Sequence, residues 1–129
     1  MTDRVSLEAA EQEGFITWWK FRFPDVLIFH IPNGGARYIT TARNLKKAGV
    51  VPGIPDLYCP RYRLWIEFKR SKGGKLSPEQ EKIINYLRRV GDAVIVAHGS
   101  EDGSRQVLDF MKEKKSGKNK DGFSSRGDN

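Results

Sequence analysis

Short apolar stretches alternate with helical patterns along this chain, and the alternation narrows the folds that it can adopt. We expect strands in the four runs that are rich in β-branched and aromatic residues, at 26–31, 56–59, 64–69 and 93–98. We expect helices where apolar residues recur at helical spacing, at 6–22, 39–48, 78–90 and 104–115. The resulting order, α-β-α-β-β-α-β-α, predicts a mixed α/β domain with about four strands.

Length and composition bound the domain organisation. The chain has 129 residues, of which 38% are hydrophobic and 11% aromatic, which suits one packed domain with its own core. From residue 116 onward the composition changes to Gly, Ser, Lys, Asn and Asp. We therefore expect a folded domain over 1–115 and a disordered basic tail over 116–129. The single cysteine, Cys59, excludes an internal disulfide, and its place in a predicted strand favours a buried, inert thiol.

The charge balance is basic and points to a partner. Lys and Arg number 23 against 16 Asp and Glu, which gives a formal net charge of +7. Because excess cationic side chains attract phosphate groups, nucleic acid is the expected partner. No apolar run reaches the roughly eighteen residues of a membrane helix, and the N-terminal residues carry no apolar signal region. We therefore expect a cytoplasmic protein without a membrane span.

Two acids and one lysine are the strongest candidates for a catalytic site. Because side chains alternate along a strand, Glu67 and Lys69 share one face of the predicted strand 64–69. A hairpin with the strand at 56–59 would bring Asp56 close to both. Two carboxylates in one site repel each other, and a hard divalent cation such as Mg²⁺ or Mn²⁺ would relieve that repulsion. The alternative is an exposed ion pair on an edge strand, worth at most ~1 kcal/mol.

The first predicted helix carries acids in an unusual position. Its aromatic side is formed by Phe15, Trp18 and Trp19, and both Glu8 and Glu11 fall within that side at 100° per residue. A carboxylate on a core-facing stripe is costly unless it is paired or bound to a metal. Helical geometry alone does not choose between Glu8 and Glu11.

Gln80 has two possible roles. Ser77 and Pro78 mark the start of a helix, and Gln80, three residues after Ser77, can close a capping box. The same side chain could instead reach the carboxylates on the preceding strand.

Three further features have ordinary structural explanations. His30 and His98 lie in apolar strand runs, where core histidines with a satisfied hydrogen bond are expected. The turn at 33–35, with Arg37 just beyond it, could present backbone N–H groups to a phosphate, although a plain turn is the simpler expectation.

Taken together, these motifs resemble a known group of nucleases. Pro55-Asp56 followed by Glu67-Phe68-Lys69 resembles the PD-(D/E)XK superfamily, which has a restriction-endonuclease-like core. The fuller string is similar to the VRR-NUC family, and its elements are Glu8 with Gln12, Asn33-Gly34-Gly35, Gly49-Val50, Gly53-Ile54-Pro55-Asp56-Leu57, Ile66-Glu67-Phe68-Lys69 and Gly74-Lys75-Leu76-Ser77-Pro78-Glu79-Gln80.

The resemblance implies a small mixed sheet flanked by helices and an endonuclease that hydrolyses DNA phosphodiester bonds with Mg²⁺ or Mn²⁺. It implies a set of catalytic residues: Glu8, Asp56, Glu67, Lys69 and Gln80. The metal ligands would be Asp56, Glu67 and the backbone carbonyl of Phe68, with Glu8 as a further candidate. Related Holliday-junction resolvases act as homodimers on branched DNA, so a homodimer and junction DNA are also implied. Phe68 stands where an aliphatic residue is common, and its side chain should face the core.

Overall fold

The computed structural model of the protein describes residues 7–32 and 39–121. Within these ranges the elements follow the predicted order: α1 Leu7–Arg22, β1 Phe29–His30, α2 Ile39–Lys47, β2 Leu57–Cys59, β3 Leu64–Lys69, α3 Pro78–Arg89, β4 Ala93–His98 and α4 Ser100–Asp121. No helix in the described ranges is both long enough and apolar enough to cross a membrane.

The described strands form one mixed sheet in the order β1-β2-β3-β4. The pairs β1–β2 and β2–β3 are antiparallel, whereas β3 and β4 are parallel and are joined by a crossover through α3. A 3₁₀ turn at Pro60–Tyr62 connects β2 to β3, and it ends at Arg63 in the left-handed conformation, with φ of 48°. Leu57 pairs with Ile66 in this register, so the start of β2 lies beside the end of β3.

Each face of the sheet has its own hydrophobic layer. On one face, alternate residues of β2 and β3 pack against Phe15 and Trp19 of α1 and Val107 of α4. On the opposite face, Ile84 and Leu87 of α3 pack with Val94 and its neighbours. The side chains of β3 follow the predicted alternation, because Phe68 is buried against the ring of Phe15, with 5.2 Å between centroids.

The outer edge of β4 is covered by side chains from the two helices next to it. Arg88 of α3 donates to the Val94 carbonyl over 2.8 Å, and Gln106 of α4 donates to the Val96 carbonyl over 2.9 Å. The His98 amide at the end of the strand donates to a carboxylate oxygen of Asp102 over 2.9 Å.

Two elements, β1 and the last helix, differ from the prediction by more than one residue. β1 spans Phe29–His30 rather than 26–31. The Trp19 indole N–H donates a hydrogen bond to the Val26 carbonyl over 2.9 Å and holds this segment against α1. The last helix begins at Ser100 rather than 104. Gly103 permits this early start, because a Cβ there would lie 3.1 Å from the Ala97 side chain.

An apolar residue of α1 is exposed, whereas the single cysteine is buried. Leu7, at the start of α1, is 69% exposed. Cys59 is buried as a free thiol, as predicted.

The helix α4 continues to Asp121, beyond the start of the predicted tail at 116, and residues 122–129 lie outside the described ranges. The predicted turn at 33–35 and Arg37 also lie outside them.

Candidate active site

Strand register brings Asp56 next to the end of β3. Leu57 pairs with Ile66, so Asp56, one residue earlier, lies beside Glu67, one residue later. One carboxylate oxygen of Asp56, Oδ2, accepts a hydrogen bond from the Phe68 amide over 2.7 Å. The backbone carbonyl of Asp56 accepts from the Ile31 amide over 2.7 Å. The residue is therefore held from both neighbouring strands.

Glu67 is a buried charged side chain, with only 2% of the residue exposed. Its Oε2 accepts a hydrogen bond from Gln80 Nε2 over 2.8 Å, and Lys69 Nζ lies 3.7 Å from the same oxygen. The other oxygen, Oε1, is buried and has no hydrogen-bond partner. Because burying an unsatisfied polar atom costs free energy, an oxygen in this state is typical of a ligand-binding site.

Lys69 completes a buried ion pair. The exposed fractions of the Lys69 and Glu67 side chains are 12% and 3%, and β3 lies between two other strands. The alternative explanation, an exposed pair on an edge strand, is therefore wrong. Alternation along β3 does place both residues on one face, as predicted.

Pro55 explains how the Phe68 carbonyl can stay available. Extending the β2–β3 register beyond Leu57 and Ile66 sets Pro55 opposite Phe68. The Asp56 carbonyl faces β1, so Pro55 faces β3, where a hydrogen-bonded pair would exchange N–H to O=C bonds, but proline has no N–H to donate. The Phe68 amide instead bonds the Asp56 carboxylate, and its carbonyl has no donor at Pro55. The Pro-Asp sequence thus leaves a backbone oxygen next to the two carboxylates.

Burial perturbs both carboxylates. Burial first, and then the neighbouring Asp56 carboxylate, raise the pKa of Glu67 to about 8, whereas the Lys69 ammonium opposes the shift. Burial also raises the pKa of Asp56, although the hydrogen bond from the Phe68 amide and the charge of His30 act in the opposite direction. Two neighbouring acids with raised pKa values form a site that is short of positive charge.

Gln80 performs both of the roles that we considered. Its Oε1 accepts from the Ser77 amide over 2.8 Å, and its own amide donates to Ser77 Oγ over 3.1 Å, which completes the capping box at the start of α3. Its Nε2 is then directed to Glu67. Gly53 allows this approach, because a Cβ there would lie 2.6 Å from the carbonyl oxygen of Glu79.

The two acids of α1 separate into different environments. The charge of Glu8 raises the pKa of both Asp56 and Glu67, so its carboxylate acts on the site. Glu11 instead accepts a short hydrogen bond from the Ser100 amide, at the beginning of α4. The structure thus favours Glu8 as the acid of α1 that belongs to the site.

Both histidines lie elsewhere than predicted. His30 and His98 are exposed, so the expectation of core histidines is wrong. His30 Nδ1 lies 3.1 Å from the Asp56 carbonyl oxygen and 3.3 Å from Gln12 Nε2. His30 is a neighbour of the site that the sequence analysis missed. It directly precedes Ile31, whose amide donates to the Asp56 carbonyl, and this position along the chain was the one available indication.

The donor set suits a hard divalent cation. The carboxylates of Asp56 and Glu67 and the Phe68 carbonyl offer oxygen atoms, and Mg²⁺ commonly binds through one or two carboxylates while keeping several waters. In the described ranges no three or more His, Cys, Asp and Glu side chains form a group that could hold a metal ion. The fit therefore rests on two carboxylates and a backbone oxygen, and ligation by Glu8 stays a prediction.

Comparison with known proteins adds structural evidence for the fold. No protein-family model matches the chain, and no curated protein matches it either. A solved structure described as a VRR_NUC domain protein superposes with a TM-score of 0.67 at 24% sequence identity, covering 85% of this chain and 92% of that one. The fold predicted from the resemblance, a small mixed sheet flanked by helices, is therefore confirmed. This chain has the fold of that VRR_NUC domain protein.

Proposed function

We propose that this protein is a metal-dependent DNA endonuclease that hydrolyses phosphodiester bonds. The observation that carries the proposal is the buried Glu67 oxygen without a partner, placed beside Asp56 and Lys69 at the adjoining ends of two strands. The fold shared with a VRR_NUC domain protein supports the same activity.

Asp56, Glu67 and the Phe68 carbonyl would hold Mg²⁺ or Mn²⁺. When bound, the cation supplies a more acidic water and positive charge for the phosphorane-like transition state. Its positive charge also offsets the burial and the neighbouring negative charge that raise the pKa values of the two acids. Glu8 adds negative charge to the same place and so strengthens the attraction for a cation.

The other side chains position and stabilise the reacting groups. The Lys69 ammonium, 12% exposed, can stabilise the extra negative charge of the transition state or orient the attacking water. Gln80 holds Glu67 through one oxygen, and the second oxygen, which has no hydrogen-bond partner, stays available for a cation. Because Gln80 is itself fixed by the capping box, the Glu67 carboxylate is held before any ligand arrives.

Branched DNA, and four-way junctions in particular, is the substrate that we propose, with a homodimer as the active species. Both follow from the resemblance to junction resolvases, since a two-fold dimer matches a substrate with two equivalent strands.

A cleavage assay tests the activity. The purified protein is incubated with linear duplex, forked and four-way DNA and with an RNA strand, in Mg²⁺, Mn²⁺ or EDTA. We expect cutting with either metal and none in EDTA, and a loss on the order of 100-fold or more in Asp56→Asn and Lys69→Met. Glu81→Gln, at an exposed position of α3, is the control variant for a lost surface charge.

Each alternative has its own outcome in this assay. Cutting that persists in EDTA or in Asp56→Asn would contradict the metal mechanism. Binding without cutting in either metal would indicate a DNA-binding module, and cleavage of RNA alone would replace DNA as the substrate. Equal cutting of linear and four-way DNA would remove the junction preference, and a monomer by light scattering would remove the homodimer.

A further inference from the structure

We infer that the loop at 70–75 holds the nucleic-acid backbone next to the reacting phosphate. This inference rests on the proposed function and adds a binding surface for the substrate strand. The loop follows Lys69 directly and ends two residues before the cap of α3 at Ser77. No acidic residue occurs between Glu67 and Glu79, so the whole connection between the two site-bearing elements is free of negative side chains.

Three exposed cations give the loop its chemistry. Arg70, Lys72 and Lys75 are all exposed, and each lies within six residues of Lys69. A phosphate that approaches the site meets the acidic side chains of Asp56 and Glu67, so nearby positive charge is needed to offset the repulsion from the ionised carboxylate. Arg and Lys side chains supply that charge and release counterions from the nucleic acid on contact.

The backbone of the loop is held in a defined shape. Gly73 has a φ of +76°, which suits glycine, and a Cβ on Gly74 would lie 2.8 Å from the Arg70 amide and 2.9 Å from the Lys69 Cβ. The loop therefore folds back tightly onto the end of β3. His98 Nε2 lies 3.3 Å from the Gly74 carbonyl and ties the loop to the end of β4. A loop held in this way loses less conformational entropy when it binds a ligand.

Two of the acids near the loop are already engaged. Ser71 lines a cavity of about 370 Å³ together with Glu11 and Asp102. Glu11 accepts a hydrogen bond at the start of α4, and Asp102 accepts from the His98 amide and from the guanidinium of Arg105. A third acid of this cavity, Glu101, is exposed. In the described part of the chain no ion pair includes the three cations of the loop, so they remain for an external anion.

The salt dependence of DNA binding tests the inference. Binding of a labelled 30-base-pair duplex is measured by fluorescence anisotropy in EDTA between 50 and 300 mM KCl. The charge-removal variant is Arg70→Ala/Lys72→Ala/Lys75→Ala. The matched control, Lys20→Ala/Arg61→Ala/Lys112→Ala, removes one Arg and two Lys at exposed positions on α1, the β2–β3 turn and α4. Circular dichroism confirms that both variants are folded.

Each phosphate contact contributes about 0.9 to the slope of log K against log salt, so we expect the loop variant to reduce that slope by about 2 to 3. The matched control should change it by less than about 1. Equal changes in the two variants, or no binding by the unaltered protein, would overturn the inference. Because binding is measured without cleavage, a protein that binds through the loop but never cuts would contradict only the nuclease proposal.

Discussion

Replacing Glu67 by Gln should stabilise the metal-free protein, although it removes a residue of the site. In the unfolded chain the side chain ionises near its ordinary pKa of 4.5, whereas in the folded protein its pKa is raised to about 8. Between these values the folded state binds more protons than the unfolded state, so the stability of the unaltered protein falls as pH rises. A neutral Gln is free of this penalty.

The magnitude follows from the size of the shift. At pH 7, about 2.5 pH units above the pKa of the unfolded chain, most Glu67 side chains of the folded protein are protonated. Keeping them protonated costs about 3 kcal/mol of folding free energy, at 1.36 kcal/mol per pH unit. For a chain of this size that corresponds to roughly 10 °C in melting temperature. The advantage of Glu67→Gln should vanish near pH 4, grow from about pH 4.5 to pH 8, and level off above that.

Urea unfolding in EDTA, followed by tryptophan fluorescence at pH 4, 6, 7 and 8, measures this difference. Glu81→Gln removes the same charge from an exposed position of α3 and serves as the control. The reasoning would be refuted if the difference in unfolding free energy between Glu67→Gln and the unaltered protein did not change with pH. It would also be refuted if Glu67→Gln were the less stable of the two at pH 7.

Three further predictions concern the metal and the supports of the site. The affinity for Mn²⁺, measured by calorimetry, should weaken about tenfold for each pH unit below 8, because a proton competes for Glu67; a flat profile between pH 6 and 8 would exclude this competition. Gly53→Ala should lower the free energy of unfolding by about 1 to 3 kcal/mol, because φ is +93° and the added Cβ meets Glu79; an unchanged thermal melt would contradict it. Glu11→Gln should cost about 0.3–1 kcal/mol at the N-terminus of α4 while cleavage is retained, and a loss of cleavage would place Glu11 in the site after all.

Local patterns in the sequence sufficed to predict most of the site. Alternation placed Glu67 and Lys69 on one face, and the spacing of a hairpin brought Asp56 to them. These relations depend on strand geometry and on residues close along the chain. The capping pattern placed Gln80 at the start of α3 for the same reason.

Contacts between segments that are distant along the chain could not be predicted from the sequence. Glu11 bonds Ser100, 89 residues away, and helical periodicity holds no information about that partner. The short β1 depends on one indole hydrogen bond, from Trp19 to Val26, which competes with strand pairing. His30 lies in an apolar run, but that run joins the sheet only at Phe29–His30 and the imidazole is exposed beside the Asp56 backbone. Tertiary packing, which the local pattern does not encode, decides each of these.

The covered edge of β4 limits how two copies of this protein can associate. Side chains of α3 and α4 already bond its outward backbone groups, so a strand from another molecule would have to displace them. Among the described strands, a sheet that continues from one copy into the next can therefore form only at the opposite edge, Phe29–His30. Such a dimer would place its two-fold axis beside the Asp56 backbone and bring the two reaction centres close together. A dimer built through helices would set them further apart, and the spacing between paired cuts on a four-way junction would distinguish the two arrangements.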